Sequence, residues 1–343
     1  MVRPDGPIPA RIMLVGEAPG AQEEAEGIPF VGESGKELNR MLQEARITRS
    51  ECFVTNVCRI RPPSNDINHF IAKAKKDVTP QHTQLRGRYV LKPVCDGIEL
   101  LRKEIEMVKP KVIVALGGTP LWALTGLNGI TRWRGSMLYT SDMGIPTKLI
   151  PTIHPAAVLR EWSNRAIVVH DLKRAAEYRD GRPYPDPGWK FITTPNISTV
   201  DDILSMLLRK LSSNPTYLSV DIETRAGHID CIGVAWSAKE ALCIPFMAGN
   251  DHYWNEEQET FIVRKLMFLL THVNARCIFQ NGLYDMQYIY RSWHYIPRIA
   301  QDTMLSWHTM FAGLPKKLDF QASMLCEFYR QWKPDRRKEK EGG

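Results

Sequence analysis

VGEAPGAQEEAEGIPFVGESGKEL, Val15 to Leu38, decides the fold of the first half of the chain. It leaves a short apolar run, Arg11-Ile-Met-Leu-Val15, whose length and composition predict a buried strand. In Gly16-Glu-Ala-Pro-Gly20 the glycines Gly16 and Gly20 let the backbone come close to a ligand. Four acidic residues fall between Glu17 and Glu26, and Phe30 is then held in a second loop framed by glycine and proline, Gly27-Ile-Pro-Phe-Val-Gly32. Ser34-Gly-Lys-Glu37 has the spacing of a capping box and precedes the apolar Leu38, Met41 and Leu42, so a helix is expected to start there. A strand end, a carboxylate-bearing loop, an aromatic ring and a helix start thus meet. Open α/β sheets bind ligands at the carboxyl ends of their strands. A glycine turn alone is only a turn; the information lies in the whole string.

Outward from this stretch, strand and helix signals alternate. Phe53-Val54 reads as a short strand leading to Thr55-Asn56. From Arg59 to Lys92 eight basic residues stand against two acidic ones, Asp66 and Asp77. That excursion is either a solvated loop or a surface for DNA phosphates, which demand positive charge and little else. Asp96 to Met107 has helical periodicity, and Val112-Ile-Val-Ala-Leu116 reads as a buried parallel strand. Thr119 is placed to cap the next helix. Leu149-Ile150 is a further strand, delivering His154 into a loop, and Ala166 to Tyr178 a final helix. The sum is an α/β/α layered domain with a mainly parallel sheet.

The string Gly16–Gly35 closely resembles the first motif of the family-4 uracil-DNA glycosylases, G-E-x-P-G-x-x-E-[DE] followed by G-x-P-F-V-G-x-[AS]-G. Further matches follow in family order: Thr55-Asn-Val57 with Arg61-Pro-Pro63, Lys109 to Gly117, and Pro151-Thr-Ile-His-Pro-Ala-Ala-Val-Leu-Arg160. The resemblance covers roughly the first half of the chain. It implies cleavage of an N-glycosidic bond, which builds positive charge on the sugar and negative charge on the departing base. The base must first be flipped out of the stack. A carboxylate serves the cation or the attacking water, and a hydrogen-bond donor serves the anion. By resemblance Glu23 is the first choice for that carboxylate and Glu17 the second. Phe30 would stack on the base and Asn56 would read its edge with an amide that both donates and accepts. His154 would donate to the base oxygen. Val158 and Leu159 would wedge into the helix, with Gly16, Gly20 and Arg160 completing the substrate-binding set.

The chain has 343 residues, enough for two domains, with 43% hydrophobic and 24% charged residues, as soluble globular proteins have. A net charge of +7 and a pI near 9.0 suit a polyanionic partner such as DNA. No apolar run reaches 18 residues, so no membrane span is expected, and Met1-Val-Arg-Pro-Asp-Gly6 is not a signal peptide. Seven scattered cysteines without a C-x-x-C argue for reduced thiols in a cytoplasmic compartment, that of the host if the chain is phage-encoded. The glycosylase family commonly holds a four-iron cluster on four cysteines. Here Met1 to Arg11 has none, Cys95 stands at one expected position and Cys58 is shifted from another, so no iron–sulfur cluster is expected. That departure makes the sequence most similar to the glycosylase-like region in front of certain bacteriophage family-A DNA polymerases.

Asp180-Gly-Arg-Pro-Tyr-Pro-Asp-Pro-Gly188 has no periodicity and marks a linker, assigned to residues 181–190. Thr199 to Leu211 reads as an amphipathic helix. In Tyr217-Leu-Ser-Val-Asp-Ile-Glu-Thr224, Asp221 and Glu223 are two apart on a strand and share a face. Cys277 to Asp285 places Asn281 and Asp285 one helical turn apart, and Asp302-Thr-Met-Leu305 follows. A lone D-x-E strand says little. With N-x-x-x-D and D-T-M-L in this order it resembles the 3′-5′ proofreading exonuclease domain of family-A DNA polymerases, of ribonuclease H-like fold. That resemblance implies two Mg2+ or Mn2+ ions on Asp221, Glu223 and Asp285, with Asn281 orienting the site. The family's third motif, Y-x-x-x-D, is not found before Gly343: Gln331, not tyrosine, stands four before Asp335. The domains are therefore drawn at 1–180 (glycosylase-like), 191–328 (exonuclease-like, short of its third motif) and 329–343 (charged tail, expected to be disordered). The expected function is uracil excision joined to a proofreading-type domain. The alternative is a DNA-binding module without chemistry that serves a polymerase supplied in trans.

Overall fold

The computed structural model describes residues 1–249 and 251–332. The chain forms two compact units, Met1–Pro185 together with the chain from Ala322 onward, and Asp186–Gln321.

The first unit is built on a five-stranded sheet: β1 (Ile12–Gly16), β2 (Cys52–Asn56), β3 (Val112–Leu116), β4 (Leu138–Tyr139) and β5 (Lys148–Thr152), in the order β2-β1-β3-β5-β4. All neighbours are parallel except the edge pair β4–β5. Every residue of β1, β2 and β3 is buried. Uninterrupted apolar runs suit strands covered on both faces. The covering helices are α1 (Ala21–Glu26), α2 (Glu33–Glu44), α3 (Lys92–Val108), α4 (Gly118–Thr125), α5 (Pro155–Arg160) and α6 (Asn164–Ala176). The stripe Val94, Ile98, Leu101, Ile105 and Val108 of α3 enters the core. Pro93 in its first turn and a left-handed Lys109 after its last bound the helix.

Two helix starts differ from the sequence reading. Helix α2 begins at Glu33 with Gly32 as its cap, so Ser34 caps nothing. Glu37 instead points inward, fully buried, and pairs with Arg165 at 2.8 Å. Helix α4 is capped at Gly117, whose φ of 109° suits glycine, and the Thr119 hydroxyl donates to Glu17. In both cases a long-range partner outcompetes the local cap. The basic excursion is also divided. Arg59 is buried against Glu104 and Thr55, Arg86 donates to the carbonyls of Ala123 and Ser141, and Arg88 donates to Asn128. Forked guanidiniums are suited to tying a loop down. Lys73, Lys75 and Lys76 remain exposed.

In the second unit β6 (Lys190–Ile192), β7 (Thr216–Arg225), β8 (His228–Ala235), β9 (Glu240–Pro245), β10 (Ala275–Phe279) and β11 (Ile299–Asp302) form one sheet, ordered β11-β10-β7-β8-β9-β6. The meander β7-β8-β9 is antiparallel, and β10 and β11 add in parallel beyond β7. This is the ribonuclease H-like arrangement expected. Buried and exposed residues alternate strictly from Thr216 to Glu223, so β7 has one core face and one open face. Helices α7 (Ile197–Ser213) and α8 (Glu256–Thr271) cover the core face with Val200, Leu204, Leu207, Leu211, Ile262, Leu266 and Leu269. Helices α9 (Gly282–Trp293) and α10 (Thr303–Met310) complete the unit, and α11 (Leu318–Leu325) starts within it and ends past Gln321, where the chain groups with the first unit. Asp302 joins two of them: its carboxylate accepts from Gly282 N (2.8 Å) and Asn281 N (3.2 Å) at the start of α9, and from Met304 N (2.9 Å) and Leu305 N (3.3 Å) at the start of α10.

Residues 322–332 group with the first unit, whereas the sequence reading carried the second domain to residue 328 and began a charged tail at 329. Tyr329 and Gln331 are buried, held by hydrogen bonds to Met137 and Ser136. Asp335 and the rest of the charged run lie outside the described residues. Among the described residues no helix is long and apolar enough to cross a membrane.

The double cap makes a prediction. Asp302→Ala strips four amides of their acceptor and should lower the stability of the second unit by about 1–2 kcal/mol. Urea unfolding followed by tryptophan fluorescence reads this; an unmoved midpoint would mean water replaces the carboxylate at no cost.

Candidate functional site

The carboxyl ends of β1, β2 and β3 and the loop after β5 surround a cavity of about 490 Å3. Glu17, Glu23, Phe30, Asn56, His154 and Arg160 all line it, residues separated by up to 143 positions in the chain.

Glu23 organises the entrance. Its Oε2 accepts from Gly20 N at 3.0 Å, and its Oε1 accepts from Gly32 N at 2.9 Å and Val31 N at 3.2 Å. One buried carboxylate therefore ties together both glycine loops. Phe30 lies between them with a φ of 56°, a strained conformation for an aromatic residue. Gly35 makes room for it, since a Cβ there would sit 1.9 Å from the Phe30 carbonyl oxygen. Gly16 serves the floor in the same way. A Cβ at Gly16 would fall 2.3 Å from Asn56 Oδ1 and 2.5 Å from the tip of the Phe30 ring. Glycine at the end of β1 thus lets an amide and an aromatic face close over the strand end. Asn56 is 3% exposed, and among the described residues its amide has no hydrogen-bond partner.

His154 stands opposite Phe30, ring centroids 5.9 Å apart. It caps the short helix α5, and its Nδ1 accepts from Ala156 N at 3.1 Å. A ring nitrogen that accepts is unprotonated, so the proton of the neutral ring is on Nε2. Burial, helped by the Arg160 charge and opposed by Glu23, pushes the His154 pKa down to about 4. At neutral pH the ring is an uncharged donor.

Glu17 is half-buried, and burial raises its pKa, against the lowering effect of the Thr119 hydroxyl. Thr119 is a site residue the sequence reading missed, since its contact spans 102 positions. Leu159 is 48% exposed and Arg160 is exposed beside it. Val158, expected to enter DNA alongside Leu159, is instead fully buried in the core: on a helix, adjacent residues point to different sides. A larger hollow, about 850 Å3 at the amino ends of β1 and β2, holds no such convergence; Arg11 and Asp180 pair with each other there.

Cys58 is buried, its Sγ donating to the carbonyls of Ile60 and Pro93; burial raises its pKa and pushes that of Cys52 up to about 12. In the second unit Asp221 and Glu223 project from the open face of β7. Asp285 is buried on α9, its Oδ1 accepting from Ile222 N at 3.0 Å. Burial, with repulsion from Asp221 and Asp302, lifts the Asp285 pKa to about 6. Asn281 is exposed, in a left-handed conformation at the start of α9. Among the described residues no three acidic, histidine or cysteine side chains converge enough to hold a metal ion.

Residues 3–179, more than half of the chain, match the family model described as the uracil DNA glycosylase superfamily. The chain belongs to that superfamily. Among its relatives is the type-4 uracil-DNA glycosylase of Thermotoga maritima, 35% identical over 178 residues, 51% of this chain and 80% of that protein. A DNA polymerase of Bacillus phage SP01 is 25% identical over 174 residues, 50% of this chain but only 16% of the polymerase. Among solved structures, Escherichia coli RNase D aligns with 40% of this chain and 32% of its own, at 20% identity and a TM-score of 0.27, too slight a likeness to build on.

The ring geometry of this superfamily member predicts a titration. By NMR, His154 should carry its proton on Nε2 and titrate near pH 4, far below the ordinary 6.5. Because the unfolded chain takes its proton first, the stability held by neutral His154 is present above pH 6.5 and is lost as pH falls toward 4. A midpoint near 6.5 would place the ring in solvent.

Proposed function

We propose that the first unit removes uracil from DNA by hydrolysing the N-glycosidic bond, without a metal ion. What supports this most is the convergence of an unpartnered amide, an aromatic face and a neutral imidazole donor on one cavity, in a chain of this superfamily. A flipped base enters against Phe30, and the Asn56 amide donates to one group on its edge and accepts from another. As the bond to the sugar breaks, His154 Nε2–H donates to the oxygen on which negative charge gathers. A neutral donor suits this better than an imidazolium, because it does not depend on holding a proton at a site that disfavours charge. Glu17 is the better candidate to activate water, since its raised pKa makes it a stronger base than an ordinary carboxylate. Glu23, with three amides on its oxygens, holds the loops and sets a negative field toward the sugar cation. Leu159 and Arg160 face the DNA, and Lys73, Lys75 and Lys76 offer charge to its phosphates.

The purified chain should leave an alkali-labile site at a single uracil, in the presence of a chelator. Glu17→Gln and His154→Ala should each slow excision by about 10²-fold or more. Their effects on folding separate the two carboxylates. Glu17 loses stability as pH rises past 4.5, because its folded pKa is raised, so Glu17→Gln should be neutral or stabilising at pH 7. Glu23→Gln cannot accept three amides equally and should lower the melting temperature. Wild type as inert as both variants would leave the unit a uracil-binding module.

For the second unit we propose DNA holding rather than digestion. Asp221, Glu223 and Asp285 are the residues that would take Mg2+ or Mn2+. They do not form a complete set, and no step is assigned to a metal there. A 3′-labelled oligonucleotide with magnesium or manganese should be shortened no faster by wild type than by Asp221→Ala. Robust digestion abolished by that variant would overturn this reading.

A further inference from the structure

The strand that delivers His154 is held from behind by buried charge. Thr152, the last residue of β5 and two before His154, is fully buried, and its hydroxyl donates to Asp171 Oδ2 at 2.8 Å. Asp171 on α6 has no exposed surface and needs a neutralising partner. Arg134 supplies it, donating through Nε at 2.9 Å and through a second nitrogen to Oδ1. The remaining direction of the Arg134 fork is met by Ser323 Oγ, at 2.6 Å. Ser323 comes from the segment that returns to this unit after residue 321, and it is 1% exposed.

A second set of bonds runs alongside. Arg174 on α6 donates to Gly135 O at 2.6 Å and to Cys326 O at 2.9 Å, and Gly135 N donates back to Pro151 O on β5 at 2.8 Å. Met137 N donates to Tyr329 O at 2.7 Å. Gly135 has a φ of 72°, and a Cβ there would meet Asp171 Oδ1 at 2.8 Å, so the turn is shaped around the carboxylate. The segment from Ser323 to Gln331 thus closes the back of the Arg134–Asp171 pair, whose front touches the end of β5.

We propose that this segment is a strap that positions His154, acting through Ser323, Arg134, Asp171 and Thr152. Thr152 is pulled into the core by Asp171, Asp171 is fixed by Arg134, and Arg134 is fixed by Ser323. If the fork loses its third acceptor, the carboxylate can turn, and the backbone leading to His154 gains freedom at the point where the ring must meet the base. These four are positioning residues, since none lines the cavity. The proposal rests on the reading of His154 as the donor in uracil excision.

The test uses the full chain and three variants, Ser323→Ala, Ser323→Thr and Thr152→Val. His154 is followed by NMR titration, where Arg160 and Glu23 are the charged groups facing the ring. Excision is followed in single turnover beside the affinity for uracil-containing DNA. Ser323→Ala and Thr152→Val should move the His154 midpoint upward from about 4 toward 6.5, and slow excision by about tenfold with affinity unchanged. Ser323→Thr keeps the hydroxyl and should behave as wild type. Ser323→Ala removes a single oxygen, so it keeps the test alive should Thr152→Val not fold. A lower melting temperature with an unmoved His154 midpoint in the alanine variant would overturn the proposal and leave the strap a stabilising element only. Should wild type excise no uracil, the functional reading falls while the His154 midpoint still decides whether the strap positions the ring.

Discussion

The site depends on one carboxylate and the three backbone amides it satisfies. Glu23 accepts from Gly20, Val31 and Gly32, and without it those amides face a cavity with nothing to bond. A buried amide left unpaired costs on the order of 1–3 kcal/mol, a cost that falls chiefly on Gly32 N, the most deeply buried of the three. The strained backbone of Phe30 is held between the points so fixed. Strain of this kind persists only where the surroundings over-determine it. The ring that would meet a base is placed by a residue that need not touch the base.

The same logic recurs deeper in the first unit. Arg59 is buried with Glu104 behind β2, and Arg134 with Asp171 behind β5. Pairs of this kind contribute little net stability compared with apolar packing, but each is strongly destabilised when one partner is lost. Their geometric demand is strict, since a planar fork must meet a carboxylate edge-on. Each pair stands behind a strand whose end supplies a cavity residue, Asn56 from β2 and His154 after β5. Buried charge here fixes position, and the apolar runs of β1 and β3 supply the cohesion.

The second unit uses its carboxylates differently. Asp302 is consumed in capping two helices, and Asp285 is held by the amide of Ile222 with its charge disfavoured by burial and by its neighbours. A cation between Asp221 and Asp285 would relieve that repulsion, yet among the described residues these two do not converge with Glu223 or any third ligand into one metal-holding group. The strand order and directions are ribonuclease H-like, and fold does not carry activity with it.

Much of this was legible in the sequence because it is local. The apolar runs at Ile12–Val15 and Val112–Leu116 read as covered strands, and with the helical stretches between them they gave the layered α/β class of the first unit, whereas the ribonuclease H-like class of the second came from the resemblance of its motif order. The motif residues Glu17, Glu23, Phe30, Asn56 and His154 were picked out by resemblance to the glycosylase motifs, and all five do line one cavity. What tertiary structure decided is how each polar group spends its hydrogen bonds. Ser34 and Thr119 looked like caps, and Glu23, by resemblance, like the catalytic carboxylate. Glu37, Thr119, Glu23 and Ser323 were each claimed by partners 8 to 189 positions away. Such competition has no trace in spacing, because a hydroxyl or carboxylate bonds whatever donor or acceptor the packed chain brings to it. Val158 and the segment after Gln321 were misread for the same reason: burial belongs to the assembled core, and no single stretch of sequence contains it.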